Sequence, residues 1–169
     1  MLKLRKNKKG FTLVELIVVI AIMAVLAGVV AGVTVSQLNK NTDKTNLSQA
    51  KGIADFVAGE IADITNESVY TNGELNADKI KDVILTQYAS VNFKKTTTTT
   101  GTGESATTTT TIDDEPESKG QFAVRVNTET NNNKTIVTSV DILYMNKSGG
   151  AIKGYTVSSE GVITNYPAA

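Results

Sequence analysis

The sequence predicts an α+β fold: a long N-terminal α-helix packed on an antiparallel β-meander of about four strands. Three observations predict it. From Leu16 to Val33 the chain runs for 18 residues without a charged or polar side chain. Directly after this run, apolar residues step by three and four, the spacing of one helical face. The last third alternates apolar and polar residues between breaks rich in Gly, Asn and Ser, the pattern of strands joined by hairpins.

The first element is defined by its flanks. Lys3, Arg5, Lys6, Lys8 and Lys9 precede Gly10 with no acid among them, making residues 1–10 a basic leader. The apolar run that follows is long enough for one membrane span, since about 20 residues at 1.5 Å each cross a hydrocarbon layer of about 30 Å. The positive leader predicts that residues 1–10 stay inside and the rest of the chain lies outside. A secretory signal peptide would need a small-x-small cleavage site after the run, and no clear one ends it. Residues 11–35 are therefore read as the transmembrane helix and 36–169 as an extracytoplasmic head. Glu15 stands inside the apolar stretch, where a charge normally marks function or finds a partner. Ala24, Gly28, Gly32 and Ser36 recur every four residues, a small-xxx-small stripe of the kind that lets helices approach closely in lipid.

Within the head, Leu47, Ala50, Ala54, Val57, Ile61 and Ile64 predict an amphipathic helix over residues 36–66 that packs on the protein's own sheet. Residues 67–120 read as a connecting region. It holds a short helix, with Asn76 as cap and Ile80, Val83, Ile84 and Tyr88 at helical spacing. Residues 121–169 read as the sheet. Phe122, Val124 and Val126 are placed on one face; Ile136, Val140, Ile142 and Tyr144 on one face of the next strand, with Val137, Leu143 and Met145 opposite.

The segment "KKTTTTTGTGESATTTTTIDDEPESKG" has no apolar alternation to bury, so it reads as a solvated Thr-rich loop, a candidate for O-glycosylation. Its acidic stretch "DDEPE" lacks the spacing of a calcium loop. No metal and no cofactor is expected.

Composition removes several functions. The 17 basic and 17 acidic residues balance, but beyond Gly10 there are five more acids than bases, which predicts no nucleic-acid contact. The chain has no histidine and no cysteine, so neither a Ser-His pair nor a thiolate nucleophile can be built. No phosphate-cradling glycine motif is present. The chain is read as a non-enzyme with no catalytic residues.

The stretch "KKGFTLVE" carries a more specific signal. A basic leader ending in glycine, then phenylalanine, then glutamate five residues after the glycine at the head of an apolar helix resembles the class III signal peptide of the type IV prepilins and pseudopilins. The resemblance covers about the first 35 residues. It implies cleavage between Gly10 and Phe11 by prepilin peptidase, N-methylation of Phe11, and a role in filament assembly for Glu15. Phe11 and Glu15, four residues apart, are expected on one helix face. Many pilins carry a proline at the twenty-second mature position, where this chain has Gly32. A long helix laid on a sheet is also what the resemblance implies.

The function expected is that of a structural pilin. The precursor would sit in the cytoplasmic membrane and its copies, through the pilus assembly machinery, would form an extracellular homopolymer used for adhesion, motility or DNA uptake. The alternatives are a pseudopilin of a type II secretion or competence system, and a single-pass anchored surface protein that presents its head for binding.

Overall fold

A computed structural model describes residues 10–100, 107–131 and 134–166. Most of the basic leader, residues 1–9, lies outside the described residues, as does the centre of the Thr-rich segment. The chain divides into two compact units, Met1–Leu38 and Asn39–Ala169. Helix α1, Leu13–Ala62, contributes to both.

In the first unit α1 is apolar all round and nothing on it is buried, so packing within the chain does not account for its composition. In the second unit the same helix becomes one-sided. Ala50, Ile53, Ala54, Val57 and Ile61 are buried, five positions on the stripe that a 3.6-residue period puts on one face. Two predicted members fall outside it. Leu47 is 37% exposed and Ile64 is 64% exposed. Ile64 comes after the helix has ended at Ala62, where Asp63 folds back on Thr65 and the Tyr70 hydroxyl donates to the Ile61 carbonyl. Those bonds satisfy carbonyls and amides that another helical turn would have used.

Strands β1, Tyr70–Thr71, and β2, Glu74–Leu75, form a two-residue hairpin at Asn72–Gly73. Both turn residues have positive φ, +53° and +79°, as the mirror-image turn of a tight hairpin requires. Helix α2, Ala77–Gln87, starts at Asn76 as the sequence predicts, the Asn76 side chain accepting from the Asp78 and Lys79 N–H groups. Ile80 and Ile84 are its buried pair.

The described threonine runs of the Thr-rich segment are strands rather than the expected loop. Lys95–Thr100 is a strand, β3, paired antiparallel with a second, β4, Thr107–Ile112. Its side chains are almost all exposed, which is why no apolar alternation announced it, and only Ile112 enters the core. Stability comes instead from β-branched threonines on a pleated ribbon and from cross-strand hydroxyl pairs, Thr97 with Thr110 and Thr99 with Thr108. A lone two-stranded ribbon is marginal in water. Here its base is fastened. Lys94 N–H donates to the Phe122 carbonyl and Val124 N–H to that of Asp113.

The sheet is the predicted four-stranded antiparallel meander, β5 (Phe122–Asn131), β6 (Lys134–Met145), β7 (Ile152–Ser158) and β8 (Ile163–Tyr166), in that spatial order. One face supplies Phe122, Val124, Val140, Ile142, Tyr144 and Val157 to the core with α1 and α2. The face assignment changes near Thr138. Asn127 pairs with Ser139 but Thr128 pairs with Val137, so Thr138 is an extra residue, a β-bulge. Because side chains alternate with period two, one extra residue exchanges the faces. Val137 therefore turns inward to join Val140, whereas Ile136, predicted to share the face of Val140, is 43% exposed.

Beneath the sheet's other face lies a polar network rather than a second core. Asp141 is buried and accepts from the Asn127 amide at 2.9 Å and the Thr156 hydroxyl at 2.7 Å, with Arg125 3.9 Å away. The acids of "DDEPE" are likewise engaged: Asp113 and Glu117 with Lys94, Asp114 with Lys81, Glu115 with Arg125. These pairs tie the acidic stretch to α2, to the ribbon and to β5.

Candidate functional site

Gly10 and Phe11 lie ahead of α1 in chain without regular secondary structure, and Phe11 is 91% exposed. Among the described residues, a Cβ built on Gly10 would meet nothing within 4 Å. Because the helix begins at Leu13, Phe11 does not share a helix face with Glu15 as the spacing implied.

Glu15 has a different partner. Thr12 N–H and the Thr12 hydroxyl both donate to Glu15 Oε2, at 2.8 and 2.9 Å, while Glu15 N–H donates to Thr12 Oγ1 at 3.2 Å. With Thr12 as N-cap and Glu15 as the third helical residue, this is a capping box, which satisfies two amides that the helix's first turn leaves unpaired. The pattern Thr-x-x-Glu before an apolar run was legible in "TLVE"; Thr12 is the site residue that spacing alone identifies and that attention to the charge passes over. The carboxylate also sits at the positive end of the helix dipole.

Further along, Leu13, Ile20 and Val30 represent the span, being 74%, 57% and 62% exposed. Ala24, Gly28 and Gly32 recur along this helix, all exposed, and a Cβ at either glycine would meet nothing within 4 Å. No packing inside the described chain explains these small residues. Beside Gly32, the Thr34 hydroxyl donates back to the Val30 carbonyl at 2.8 Å, a bond that competes with the helical ladder.

The span therefore supplies an exposed, non-helical entry, a charge bound to its own helix start, and an uncovered apolar surface notched by small residues. Among the described residues, no group of three His, Cys, Asp or Glu side chains is arranged to hold a metal ion.

No curated protein and no solved structure matches the chain. Residues 5–31, which include Gly10, Phe11 and Glu15, match the family model of the prokaryotic N-terminal methylation motif, and the chain thus carries the class III signal peptide of type IV pilins.

Proposed function

We propose that the chain is a structural subunit of a type IV pilus. Prepilin peptidase cuts it between Gly10 and Phe11, Phe11 is methylated, and copies polymerise through the N-terminal helix into an extracellular filament. The observation that supports this reading is the coincidence, on one helix, of the methylation motif with an apolar surface that is exposed all round. Such a surface requires a cover. Hydrocarbon covers it in the precursor, held in the cytoplasmic membrane with its N-terminus inside, and neighbouring copies of the helix cover it in the filament. Ala24, Gly28 and Gly32 allow those helices to approach closely, and Glu15 sets the axial register by meeting the new N-terminal amine of a neighbouring copy. The partners are a second copy of the chain, prepilin peptidase, the pilus assembly machinery and the membrane.

Electron microscopy of surface-sheared material combined with N-terminal sequencing tests the reading. Filaments of a chain beginning at N-methylated Phe11 are the expected result. Chains that begin at Phe11 but stay in the envelope without filaments would assign a pseudopilin of a secretion or competence system. Uncut chains would assign an anchored surface protein.

A further inference from the structure

Eleven of the twelve basic side chains of the second unit divide into two groups; the twelfth, Lys95, opens β3 and is exposed, without an ion pair among the described residues. Lys51, Lys81, Lys94, Arg125 and Lys134 each form an ion pair with a carboxylate, and the Lys79 ammonium donates to the Glu67 and Tyr70 carbonyls. Lys40, Lys44, Lys119, Lys147 and Lys153 are exposed, and none of them forms an ion pair among the described residues. These five are gathered in one place, and Asp43 gathers them.

Asp43 lies on α1 between Lys40 and Lys44. Its carboxylate accepts from Lys147 N–H, from Ser148 N–H at 3.0 Å and from the Ser148 hydroxyl, pinning the turn between β6 and β7 to the helix. The Lys147 side chain runs past Gly120, where a Cβ would lie 2.7 Å from its Cε, and the Lys119 side chain lies against Gly150. Lys153 opposes Tyr144 in the ladder and its charge is felt at Asp43. The central carboxylate is thus already taken by amides and a hydroxyl, and the lysines around it face outward. This runs against the overall charge of residues 39–169, which hold 12 basic and 16 acidic side chains.

We propose that this lysine collar docks the head on the anionic phospholipid headgroups of the membrane that the apolar half of α1 crosses. Position in the chain favours lipid as the partner. Lys40 is the first charged residue after the apolar run, five residues beyond Val35, so the collar is built on the segment that leaves the hydrocarbon. The proposal rests on the reading of that run as a span. Each lysine near an anionic surface strengthens contact about fivefold, and salt weakens it as the screening length falls from about 10 Å at 0.1 M to about 3 Å at 1 M. A docked head would hold the precursor at the bilayer until assembly lifts it away.

The chain has no cysteine, so Ala151→Cys accepts a single fluorophore. Ala151 is exposed in the pinned turn and bonds Asn146 only through its backbone. The full chain is reconstituted into phosphatidylcholine vesicles with and without phosphatidylglycerol, each carrying a headgroup quencher. Quenching is expected to be at least tenfold stronger with phosphatidylglycerol. Molar salt should abolish it, as should the joint substitution Lys119→Gln, Lys147→Gln and Lys153→Gln, which leaves α1 untouched; inorganic phosphate should do no more than salt of equal ionic strength. Equal quenching in the two vesicle types, or native quenching in the triple variant, overturns the proposal. So does a label shielded equally in both lipids but only in cross-linked oligomers, which would put a second copy on the collar. Release of the chain from vesicles by alkaline washing overturns the span reading and the docking with it, whereas a retained chain with an unquenched label overturns the docking alone.

Discussion

At the scale of single residues, Glu15 answers to two demands that substitution can separate. In the uncut chain its carboxylate completes the capping box with Thr12. On the proposed reading, cleavage would also present it with a protonated amine that did not exist before, and a water-free filament core would strengthen that attraction. Glutamine at the third helical position can still complete a capping box, but it carries no charge. Valine at position 12 removes the cap, at a cost of about 1 kcal/mol, and leaves the charge in place. If register is the function, Glu15→Gln and Glu15→Val should both be cut after Gly10 yet enter filaments at least tenfold less than the native chain, while Thr12→Val assembles nearly normally. The reverse ranking, read from the pilin content of sheared filaments, would make Glu15 a helix cap only. Gly10→Val acts earlier: the uncut precursor should accumulate in the membrane fraction, seen as a band larger by the leader. The methylation motif was legible because the order of basic residues, glycine, phenylalanine and glutamate at the head of an apolar run is itself the signal. The capping role was legible too, as Thr-x-x-Glu, but Asp43 was not, because its partners Lys147 and Ser148 are about a hundred residues away and two of the three donors are backbone amides that no side-chain pattern encodes.

At the scale of elements, the sheet depends on a glycine that no turn explains. Gly154 is buried in β7, opposite Leu143 and Tyr166. A Cβ there would stand 1.8 Å from the Ile142 carbonyl oxygen and 2.9 Å from its carbon, and backbone cannot swing away as a side chain can. Gly154→Ala should therefore lower stability by about 1–3 kcal/mol, with the larger figure expected, measured as a shift in the urea midpoint at unchanged slope. A midpoint within error of native would mean that the strands separate there at no cost. The ribbon of β3 and β4 should behave oppositely. Deleting residues 96–111 removes exposed threonines and leaves Ile112 and the Lys94–Asp113 pair in place, so the shortened chain should unfold with a midpoint close to native and still assemble. A loss comparable to that of Gly154→Ala would show the ribbon to be integral to the core. These two elements also mark where sequence reading succeeds and where it stops. The meander and α2 declared themselves because their buried faces repeat with the period of the backbone, Phe122 and Val124 in one case, Ile80 and Ile84 in the other. The ribbon did not, since its strands bury nothing until Ile112, and the bulge at Thr138 did not, since an extra residue is visible only in the pairing of two strands.

At the scale of the whole molecule, residues 39–169 hold their own core, made by the one-sided half of α1 with α2 and the sheet, and no buried residue of that core lies in the first unit. A chain beginning near Ser36 should therefore be soluble, monomeric and cooperatively folded. Its stability should depend on pH in a defined way. Partial burial pushes Asp43 up, but the Ser148 hydroxyl, the Lys147 and Ser148 N–H groups and the Lys153 charge together hold it below the ordinary 3.8. Asp113 is held below 3.8 chiefly by the Thr96 hydroxyl, against its burial, with Lys94 adding to the effect. A carboxyl whose folded value is depressed contributes stability that is fully present above its unfolded value and is lost as pH falls through the folded one. Lys94 has the opposite sense: hydrogen bonds to Glu117 and Asp113 raise it above 10.5, so its contribution is present below 10.5 and lost only as pH rises past that. Stability should accordingly be flat through neutral pH and fall below about pH 4 as Asp43 and Asp113 take up protons. Asp43→Asn tests the assignment. It keeps an oxygen acceptor but no charge, so at pH 7 it should cost about 1–2 kcal/mol, and the loss of stability on acidification should become smaller than in the native head. A variant that keeps the full native acid slope, followed by circular dichroism across the same range, would move the acid sensitivity away from the pinned turn and onto the ion pairs around Lys94.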